Sequence, residues 1–572
     1  MLEGERVIET DVLVVGTGLA GLRAAIEARR YGVDVLLVDK MEPGRVSNTA
    51  ISGGGFKHFH HRQPSDTARR YVTFNDHFKH MVEYGDFLPN QKLAEILTLE
   101  ANPRVVELEE FSAEIDAHTP GPKRGGQRVT LPMTEYVKEH GVHILRDTFL
   151  TDLVRAGDAV AGAVGFNVFG GDFIVVKSKS TVLATGGAGE IYSRNNTAVN
   201  VVGDGYEMAY NAGASLVDME MVMPDAILLA EPGLHWGVHI GGSPFRMRGV
   251  LRNAAGEPFE TKYLEEHNLV GPEATFSLDD PWPVRYDVHP YDVREHRARA
   301  MVLEVREGRG DKGAVLMDFT KVPREEWTRD QLSRGTLQLL RGFPIDERPV
   351  HVLPGMICTL GGIRIDENGG SDVPGLYAAG EVTGGVHGAG RLGGNALSDC
   401  IVFGARAGRS AAIRAKSIKM PDIDPAQVDE KRDRVREISR REPSEEGDVE
   451  AVTAEFKSLM WEHVGVVRSG QDLEAALAGI DRIRRENLPH LYVRNPRELM
   501  RALELVKMVS VGEMIARPAL MREDSRTCHY RIDHPERDNR NWLKNILLRR
   551  EDGKMRLWTE PVVVTRIQPP ED

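Results

Sequence analysis

The chain has 572 residues, enough for two to four domains with sizeable cores. Its formal net charge of -13 argues against a nucleic-acid-binding surface, and no apolar stretch is long enough for direct membrane insertion. The three cysteines lack C-x-x-C spacing, which excludes an iron–sulfur cluster held by this chain alone, and with the absence of a signal-peptide pattern they indicate a cytoplasmic protein.

The first predicted elements are a strand, a glycine turn and a helix. Residues 12–15 form an apolar run typical of a buried parallel strand, and residues 22–30 follow as a helix. The turn between them holds Gly16, Gly18 and Gly21. Glycines at this spacing allow a tight turn, a close backbone approach to a pyrophosphate and close helix–strand packing. Asp39 ends the next apolar run, where an acid accepts ribose hydroxyls.

Two later segments carry further pieces of the same kind of site. One is the glycine-rich run 184–189, and the other extends from Gly375 through Glu381 to Asn395. A lone glycine fingerprint also fits a purely structural turn, whereas three consistent pieces in this order predict bound FAD.

The pattern of elements divides the chain into five parts. Residues 1–225 alternate strands and helices, with an antiparallel meander over 159–176, and this rhythm breaks over 226–350 before it resumes over 351–420. Residues 421–520 are predicted to be helical, and the charged tail 521–572 ends in a β-like run, Val562 to Ile567. The sequence therefore predicts an α/β fold in which an inserted domain splits the nucleotide-binding domain.

These motifs resemble the flavoprotein subunits of the succinate dehydrogenase and fumarate reductase family, which includes aspartate oxidase and the adenylylsulfate reductase flavoprotein. The most specific matches are the runs 184–189, 203–205, 386–395 and 464–469, together with the tail 524–544. The resemblance implies a Rossmann-like FAD-binding domain split by an α+β capping domain, then a helical domain and a small C-terminal segment.

The family's flavin contacts carry over residue by residue. The residues expected to bind FAD are Gly16, Gly18, Ala20, Gly21, Asp39, Lys40, Ser47, Asn48, Thr49, Gly53, Gly54, Ala184, Thr185, Gly186, Asp204, Glu381, Arg391, Asn395, Ala396 and Leu397. Asn48 occupies the position of the family's flavin-linking histidine. An amide cannot form the histidyl–flavin bond, so the resemblance implies non-covalent FAD.

The resemblance also implies three residues at the reacting centre. Arg391 matches the arginine that holds a substrate carboxylate, Arg294 matches the catalytic arginine, and Thr359 lies in the substrate-contacting run. Arg297 and Arg299 are close to Arg294 in register, and a solvated helix face is the alternative role for this segment. Since arginine stays protonated in proteins, Arg246, His296 or Tyr291 are alternative proton donors.

Three departures from the family pattern concern the substrate. Ile357 replaces a substrate histidine, the run 218–225 lacks the histidine of His-Pro-Thr, and the run 241–248 lacks the proton-relay pair. A site without these donors would bind two carboxylates poorly, because a buried unpaired charge is costly. We therefore expect one carboxylate anchor beside the apolar residues Met223, Ile357 and Leu360, and a bulkier, less polar acid than fumarate.

The leading interpretation is an FAD-dependent oxidoreductase of the fumarate reductase type that exchanges electrons with a ferredoxin-like iron–sulfur subunit. Through that partner it could be peripheral to a membrane. The alternatives are a stand-alone oxidase like aspartate oxidase, sulfur chemistry like that of the adenylylsulfate enzyme, and a non-catalytic electron relay. No metal site is expected, because the histidine-rich run 57–61 is more typical of a surface or flavin-side loop.

Overall fold

The computed structural model describes residues 4–53, 55–56, 73–113, 125–234, 237–240, 249–265, 294–328, 331–444 and 446–570. The strands are β1 (Glu5–Val15), β2 (Val35–Val38), β3 (His143–Leu145), β4 (Thr148–Ala156), β5 (Ala159–Asn167), β6 (Phe173–Leu183), β7 (Leu216–Val217), β8 (Val222–Leu229), β9 (Val250–Arg252), β10 (Val315–Asp318), β11 (Val350–Thr359), β12 (Gly362–Arg364), β13 (Leu376–Ala378), β14 (Thr383–Gly384), β15 (Val467–Arg468), β16 (Tyr530–Arg531), β17 (Lys544–Glu551) and β18 (Lys554–Pro561).

The α-helices are Leu19–Arg30, Asn48–Ile51, Phe74–Tyr84, Gln91–Val106, Gln127–Glu139, Asp204–Asn211, Glu260–Glu265, Arg294–Arg306, Gln331–Leu339, Asn395–Ser417, Pro425–Ile438, Val449–Val464, Gly470–Glu486, Pro496–Met521 and Asn539–Trp542. Short 3-10 turns lie at Glu107–Phe111, Gly189–Ile191, Glu326–Thr328, Gly380–Val382 and Leu488–His490. No helix in the described part of the chain has both the length and the apolar character to cross a membrane.

The main sheet has the order β3-β2-β1-β6-β5-β4, with β13 also paired to β6. Strands β3, β2, β1, β6 and β13 run parallel, whereas β4, β5 and β6 pair antiparallel. Residues 12–15 are buried in β1, as the apolar run predicts, and β5 with β6 forms the predicted meander. The helices Leu19–Arg30 and Asn395–Ser417 pack closely, since Gly408 leaves no room for a Cβ beside the Ala24 carbonyl. This arrangement confirms the predicted α/β class.

A second sheet lies within the insertion. Its order is β8-β11-β10-β9, with every pair antiparallel. A separate apolar core, which includes Leu229, Met301 and Phe319, packs between this sheet and the helix Arg294–Arg306. Strand β8 crosses the predicted domain limit at 225, and β11 begins at the limit at 350. The insertion is therefore tied to the main domain by two strands, and the five domain limits stay predictions.

The C-terminal part returns to the main domain. Helices Val449–Val464, Gly470–Glu486 and Pro496–Met521 pack against one another. The hairpin β17–β18 then joins a sheet of order β14-β12-β7-β17-β18.

The predicted β-run Val562 to Ile567 is wrong, because the last strand ends at Pro561. Beyond it, the side-chain oxygen of buried Gln91 accepts hydrogen bonds from three successive backbone N–H groups, those of residues 565, 566 and 567. The Gln91 side chain thus accepts the hydrogen bonds that a neighbouring strand would otherwise accept from these backbone N–H groups.

Candidate active site

A cleft of about 800 Å³ lies at the carboxyl ends of β1, β2 and β6. The predicted FAD-binding residues that line it are Gly16, Gly18, Ala20, Asp39, Lys40, Ser47, Asn48, Thr49, Ala184, Thr185, Gly186, Asp204 and Glu381. Lining residues that were not predicted to bind FAD include Thr17, Phe149, Asn200 and Met208. Ligands of open α/β sheets bind at this edge, where strands end and helices begin.

The three turn glycines have separate roles. Gly16 has φ +106°, a left-handed conformation that favours glycine. Gly18 precedes the helix Leu19–Arg30 and lines the cleft, so the free N–H groups of the helix start are near a ligand there. A Cβ at Gly21 would lie 1.9 Å from the Gly16 carbonyl oxygen. Gly21 therefore sets how closely the helix packs against the turn, and it does not line the cleft.

Asp39 is held in place by the turn. Its carboxylate accepts hydrogen bonds from the backbone N–H groups of Thr17 and Met41, each at 2.8 Å. Burial raises the pKa of Asp39 above its ordinary value, while these hydrogen bonds act in the opposite direction. The carboxylate is thus pre-positioned as an acceptor at the end of β2.

Lys40 links three distant parts of the chain. Its Nζ lies 2.5 Å from Asp204 Oδ2 and also contacts Glu504 Oε1, which comes from the helix Pro496–Met521. Burial acts to lower the pKa of Lys40, but the two carboxylates outweigh it and hold the pKa above the ordinary value. Sequence reasoning found Lys40 and Asp204 but missed Glu504, because no local motif surrounds it.

Asn48 bonds to a second predicted flavin contact. Its Nδ2 donates to Glu381 Oε2 at 2.8 Å, and its Oδ1 accepts from the Ala198 N–H at 2.9 Å. Burial raises the pKa of Glu381, and the Asn48 amide partly offsets this effect. Ser47 Oγ accepts from the Ala50 N–H and caps the short helix that carries Asn48 and Thr49. Of the remaining residues of this loop, Gly53 does not line the cleft and Gly54 lies outside the described residues.

Four further residues predicted to bind FAD do not line this cleft: Arg391, Asn395, Ala396 and Leu397. Asn395, Ala396 and Leu397 open the helix Asn395–Ser417, and Asn395 Oδ1 lies 2.9 Å from Nε2 of buried His77. Gly394 precedes the helix with φ +88°.

Three buried acceptors in the cleft wall indicate what the cleft holds. Thr185 Oγ1, Asn200 Oδ1 and Asp204 Oδ1 have no hydrogen-bond partner within the described ranges. Buried polar groups are nearly always hydrogen-bonded, so a ligand rich in hydroxyl and amide groups is expected to satisfy them. Together with the glycine turn and Asp39, these groups fit the ribitol, pyrophosphate and ribose of FAD.

Arg294 and Arg391 meet at the base of the insertion. Arg294 Nη2 lies 3.4 Å from the Arg391 carbonyl oxygen, and both side chains are buried. Arg297 instead pairs with Glu260, and the Arg299 guanidinium lies 3.9 Å from the centre of the Tyr530 ring. Of these three neighbouring arginines, the structure thus brings Arg294 against the main chain of Arg391.

An apolar wall borders Arg391, whose side chain contacts the Cys358 thiol of this wall. Its buried members are Leu88, Met221, Met223, Cys358, Leu360, Ala389 and Cys528, and Ile357 packs against them. Cys358 Sγ lies 3.7 Å from Met223 Sδ, and burial raises the pKa of Cys358 to about 11. The thiol is therefore neutral near pH 7 and acts as a small apolar group.

Thr359 is hydrogen-bonded to Tyr206 and Glu381. Its Oγ1 lies 2.5 Å from the Tyr206 hydroxyl, and its N–H donates to Glu381 Oε1 at 3.2 Å. These contacts connect the end of β11 to the flavin side of the site. A catalytic role for Thr359 stays a prediction.

Two acids lie beside Arg294. Asp225 Oδ2 is 3.9 Å from Arg294 Nη1 and 3.3 Å from His239 Nε2. Glu295 is buried and accepts a hydrogen bond from the Tyr84 hydroxyl at 2.6 Å. Burial raises the pKa of Glu295 to about 7, against the opposing effect of Arg294. Sequence reasoning missed Glu295.

Of the alternative proton donors, His296 is on the helix Arg294–Arg306, whereas Arg246 and Tyr291 lie outside the described residues. The histidine-rich run 57–61 also lies outside them, and within the described ranges no cluster of histidines, cysteines and acids could hold a metal.

The fold and the cleft together define a dinucleotide-binding flavoprotein. The chain matches the FAD binding domain family over residues 11–130 and 116–397, and the fumarate reductase flavoprotein C-terminal family over residues 453–572. It is 33% identical over 570 residues to a subunit of the CoM/CoB fumarate reductase of Methanothermobacter marburgensis, covering 95% of this chain and 97% of that one.

Solved structures agree with this match. Quinol fumarate reductase FrdA of Escherichia coli, in a mutant form, has a TM-score of 0.85 and 25% identity, with 99% of each chain covered. Sdh1 of Mycobacterium smegmatis in complex with UQ1 has a TM-score of 0.82 and 28% identity, with 99% of this chain and 96% of that chain covered. This chain belongs to the succinate dehydrogenase and fumarate reductase flavoprotein family, and it is an FAD-dependent oxidoreductase.

Proposed function

We propose that this flavoprotein subunit interconverts an unsaturated and a saturated carboxylic acid other than fumarate. The observation that carries the proposal is the contact of the Arg294 guanidinium with the Arg391 main-chain carbonyl, beside an apolar wall whose Cys358 thiol contacts the Arg391 side chain. When bound, FAD supplies the two-electron chemistry, the exchange of a hydride at its N5 atom.

Arg391, Arg294 and the apolar wall are suited to different roles in substrate binding and reaction. The planar guanidinium of Arg391 suits bidentate binding of one carboxylate. Arg294 adds a second fixed positive charge, which would stabilise the negative charge that develops on an enoate when hydride adds, until uptake of one proton completes the saturated acid. The apolar wall excludes water and accommodates the uncharged remainder of the substrate. The family's second carboxylate clamp is missing, because Ile357 and Asp225 stand in the runs where the family carries histidines.

We further propose that FAD is bound without a covalent link. Asn48 is engaged with Glu381 and the Ala198 N–H, and an amide offers no nucleophile for a bond to the flavin. The predicted residues Gly16, Gly18, Ala20, Asp39, Lys40, Thr185, Asp204 and Glu381 would hold the cofactor through backbone N–H groups, hydroxyls and charges.

An iron–sulfur subunit is the proposed electron partner. Relatives of this chain are named as subunits of fumarate reductases, which supports its assembly into a complex. Its three widely separated cysteines are too few to hold a cluster, so the partner would carry the clusters.

The test is anaerobic reoxidation of the chemically reduced protein by a panel of alkyl and aryl enoates, with fumarate and air as comparisons. The proposal predicts that acid releases the flavin and that a monocarboxylate enoate reoxidises it faster than fumarate or air does. Fast turnover with fumarate would contradict the substrate assignment. Fast reaction with air alone would instead favour an oxidase, and no reaction with any enoate would favour the relay role.

A further inference from the structure

A second cavity, of about 670 Å³, lies between the insertion and the helical part of the chain. Its walls come mainly from the helices Arg294–Arg306 and Val449–Val464 and from the strands β10 and β11. Among the described residues, those that line this cavity and those that line the FAD cleft do not overlap. A cavity of this size is typical of sites that bind small molecules.

The greater part of the cavity wall is apolar. Val302 lines it from the helix Arg294–Arg306, Val315 from β10, and Val352 and Leu353 from β11. Transfer of hydrocarbon from water to such a surface is favourable. The cavity is therefore suited to a ligand with a sizeable apolar part.

Arg194 brings a positive charge to this apolar surface. Its guanidinium lies 5.1 Å from the centre of the Trp461 ring, and both residues line the cavity. Burial lowers the pKa of Arg194, and the charge of Glu462 opposes this effect. Within the described ranges, the Arg194 side chain has no ion pair and no hydrogen bond. Its guanidinium is thus a partly desolvated cation whose donors are available to an anion.

The other charged residues of the cavity, Arg306 and Glu462, are exposed. Arg306 Nη2 donates to the Glu462 main-chain carbonyl at 3.3 Å, and its Nη1 lies 3.9 Å from Asp472 Oδ2. Asp472 Oδ1 also lies 3.5 Å from His463 Nδ1. Arg306 is therefore engaged with protein groups and has no part in the ligand site. The Glu462 carboxylate makes a dianionic ligand less favourable than a monoanion.

The backbone of Arg194 is fixed by β11. The Arg194 carbonyl accepts a hydrogen bond from the Met356 N–H at 2.9 Å, and the Asn196 N–H donates to the Met356 carbonyl at 2.8 Å. A Cβ on Gly355 would lie 3.2 Å from the Arg194 carbonyl group, so the two segments are in close contact. A backbone held in this way lowers the entropy that the site loses when a ligand binds.

We propose that this cavity is a second ligand-binding site, which takes a small monoanion with a flat apolar body, such as an aryl carboxylate. The planar guanidinium of Arg194 binds the carboxylate through two parallel hydrogen bonds, and the valine-rich wall covers the ring. The ligand contacts both the insertion and the helix Val449–Val464, and so stabilises their association. The site includes neither Arg294 nor Arg391, so it is independent of the proposed function.

Naphthoate is the probe, and naphthamide is its neutral match. Binding of each compound to the oxidised holoenzyme is measured by calorimetry, and FAD content and melting temperature are recorded for every protein. Arg194→Gln removes the positive charge, whereas Val302→Phe fills the cavity without a change of charge. Arg341→Gln is the control, since Arg341 is an exposed arginine of the same insertion.

We expect the wild type to bind naphthoate at least about tenfold more tightly than naphthamide, because only the acid makes hydrogen bonds between two charged groups. Arg194→Gln should abolish this preference, and Val302→Phe should weaken naphthoate binding at least about tenfold. Arg341→Gln should bind both compounds as the wild type does. Naphthoate should raise the melting temperature of the wild type but not that of Arg194→Gln.

Arg391→Gln separates this site from the proposed substrate site. The naphthoate binding that Arg194→Gln removes should persist in Arg391→Gln. Binding that is lost in Arg391→Gln and kept in a folded, FAD-containing Arg194→Gln protein would overturn the inference and leave the proposed function standing. Unchanged binding in both folded cavity variants, or no binding by the wild type at millimolar naphthoate, would also overturn it.

Discussion

At the scale of single residues, the charges around the FAD cleft depend on buried partners. Lys40 is held by Asp204 and Glu504, and each of the three side chains is at most 12% exposed. A buried pair adds little net stability as a unit, but removal of one partner leaves an uncompensated charge. We therefore expect a single change at Lys40 to affect both folding and FAD binding.

Lys40→Met should lower the free energy of unfolding by about 3–5 kcal/mol, because two buried carboxylates lose their counter-ion. It should also lower the FAD content of the purified protein. Lys138→Met is the control, since Lys138 pairs with Glu135 at 2.8 Å with exposures of 50% and 66%. That exposed ion pair should contribute less than about 1 kcal/mol to the free energy of unfolding. Denaturant unfolding of both variants measures the contrast, and equal losses would contradict this account of Lys40.

Because of Glu295, the free energy of unfolding should fall as the pH rises. Its pKa rises from 4.5 to about 7 in the folded chain, because burial disfavours the carboxylate. The folded state thus favours the protonated carboxyl group. Its contribution to the free energy of unfolding is complete below pH 4.5 and is lost as the pH rises through 7.

Glu295→Gln should remove this dependence. Between pH 4.5 and pH 7 the wild type should lose up to about 3 kcal/mol relative to the variant. Denaturant unfolding across this pH range measures the difference. Glu139→Gln, at an exposed position, should track the wild type at every pH. A constant difference between the wild type and Glu295→Gln would show that Glu295 has an ordinary pKa.

At the scale of elements, the contact between the first turn and its helix shapes the cleft. The helix Leu19–Arg30 approaches the Gly16 carbonyl so closely that only a glycine fits at position 21. The glycine is therefore required for helix packing, and packing in turn places the N–H groups of Gly18 and Leu19 at the cleft.

Gly21→Ala should displace the helix and cost about 1–3 kcal/mol of stability, as overpacking does. Because the helix start would move, FAD affinity should fall as well, which a titration of the apoprotein with FAD measures. Gly335→Ala is the matched control, a helix glycine with nothing within 4 Å of an added Cβ. That substitution should be neutral or stabilising. Unchanged FAD affinity in Gly21→Ala would contradict the packing role.

At the scale of the whole molecule, the sequence predicted what local motifs encode. The glycine turn, Asp39 and the run 184–189 carry recognisable spacings, and the structure assembles them around one cleft. Contacts between distant segments have no such signature. Glu504 pairs with Lys40, which is 464 positions away in the sequence. Gln91 accepts hydrogen bonds from backbone N–H groups more than 470 positions away.

The candidate substrate site likewise depends on contacts between distant segments that no local motif predicts. The family resemblance identified both Arg391 and Arg294, the latter within a cluster of arginines. Their meeting depends on how two strands, β8 and β11, hold the insertion on the main domain. Glu295 is buried only in that assembled state, so no local pattern predicts its raised pKa.

The central claim is that these two arginines, from distant parts of the chain, act on one substrate carboxylic acid. Its most direct test is the single-turnover rate at which crotonate reoxidises the reduced wild type, Arg294→Gln and Arg391→Gln, with FAD content measured for each protein. Arg306→Gln, at the far end of the same helix as Arg294, is the control. We predict losses of about 100-fold or more in both pocket variants with FAD retained, as for removal of one stabilising donor, and no loss in the control. Wild-type rates in FAD-containing Arg294→Gln and Arg391→Gln proteins would contradict the account.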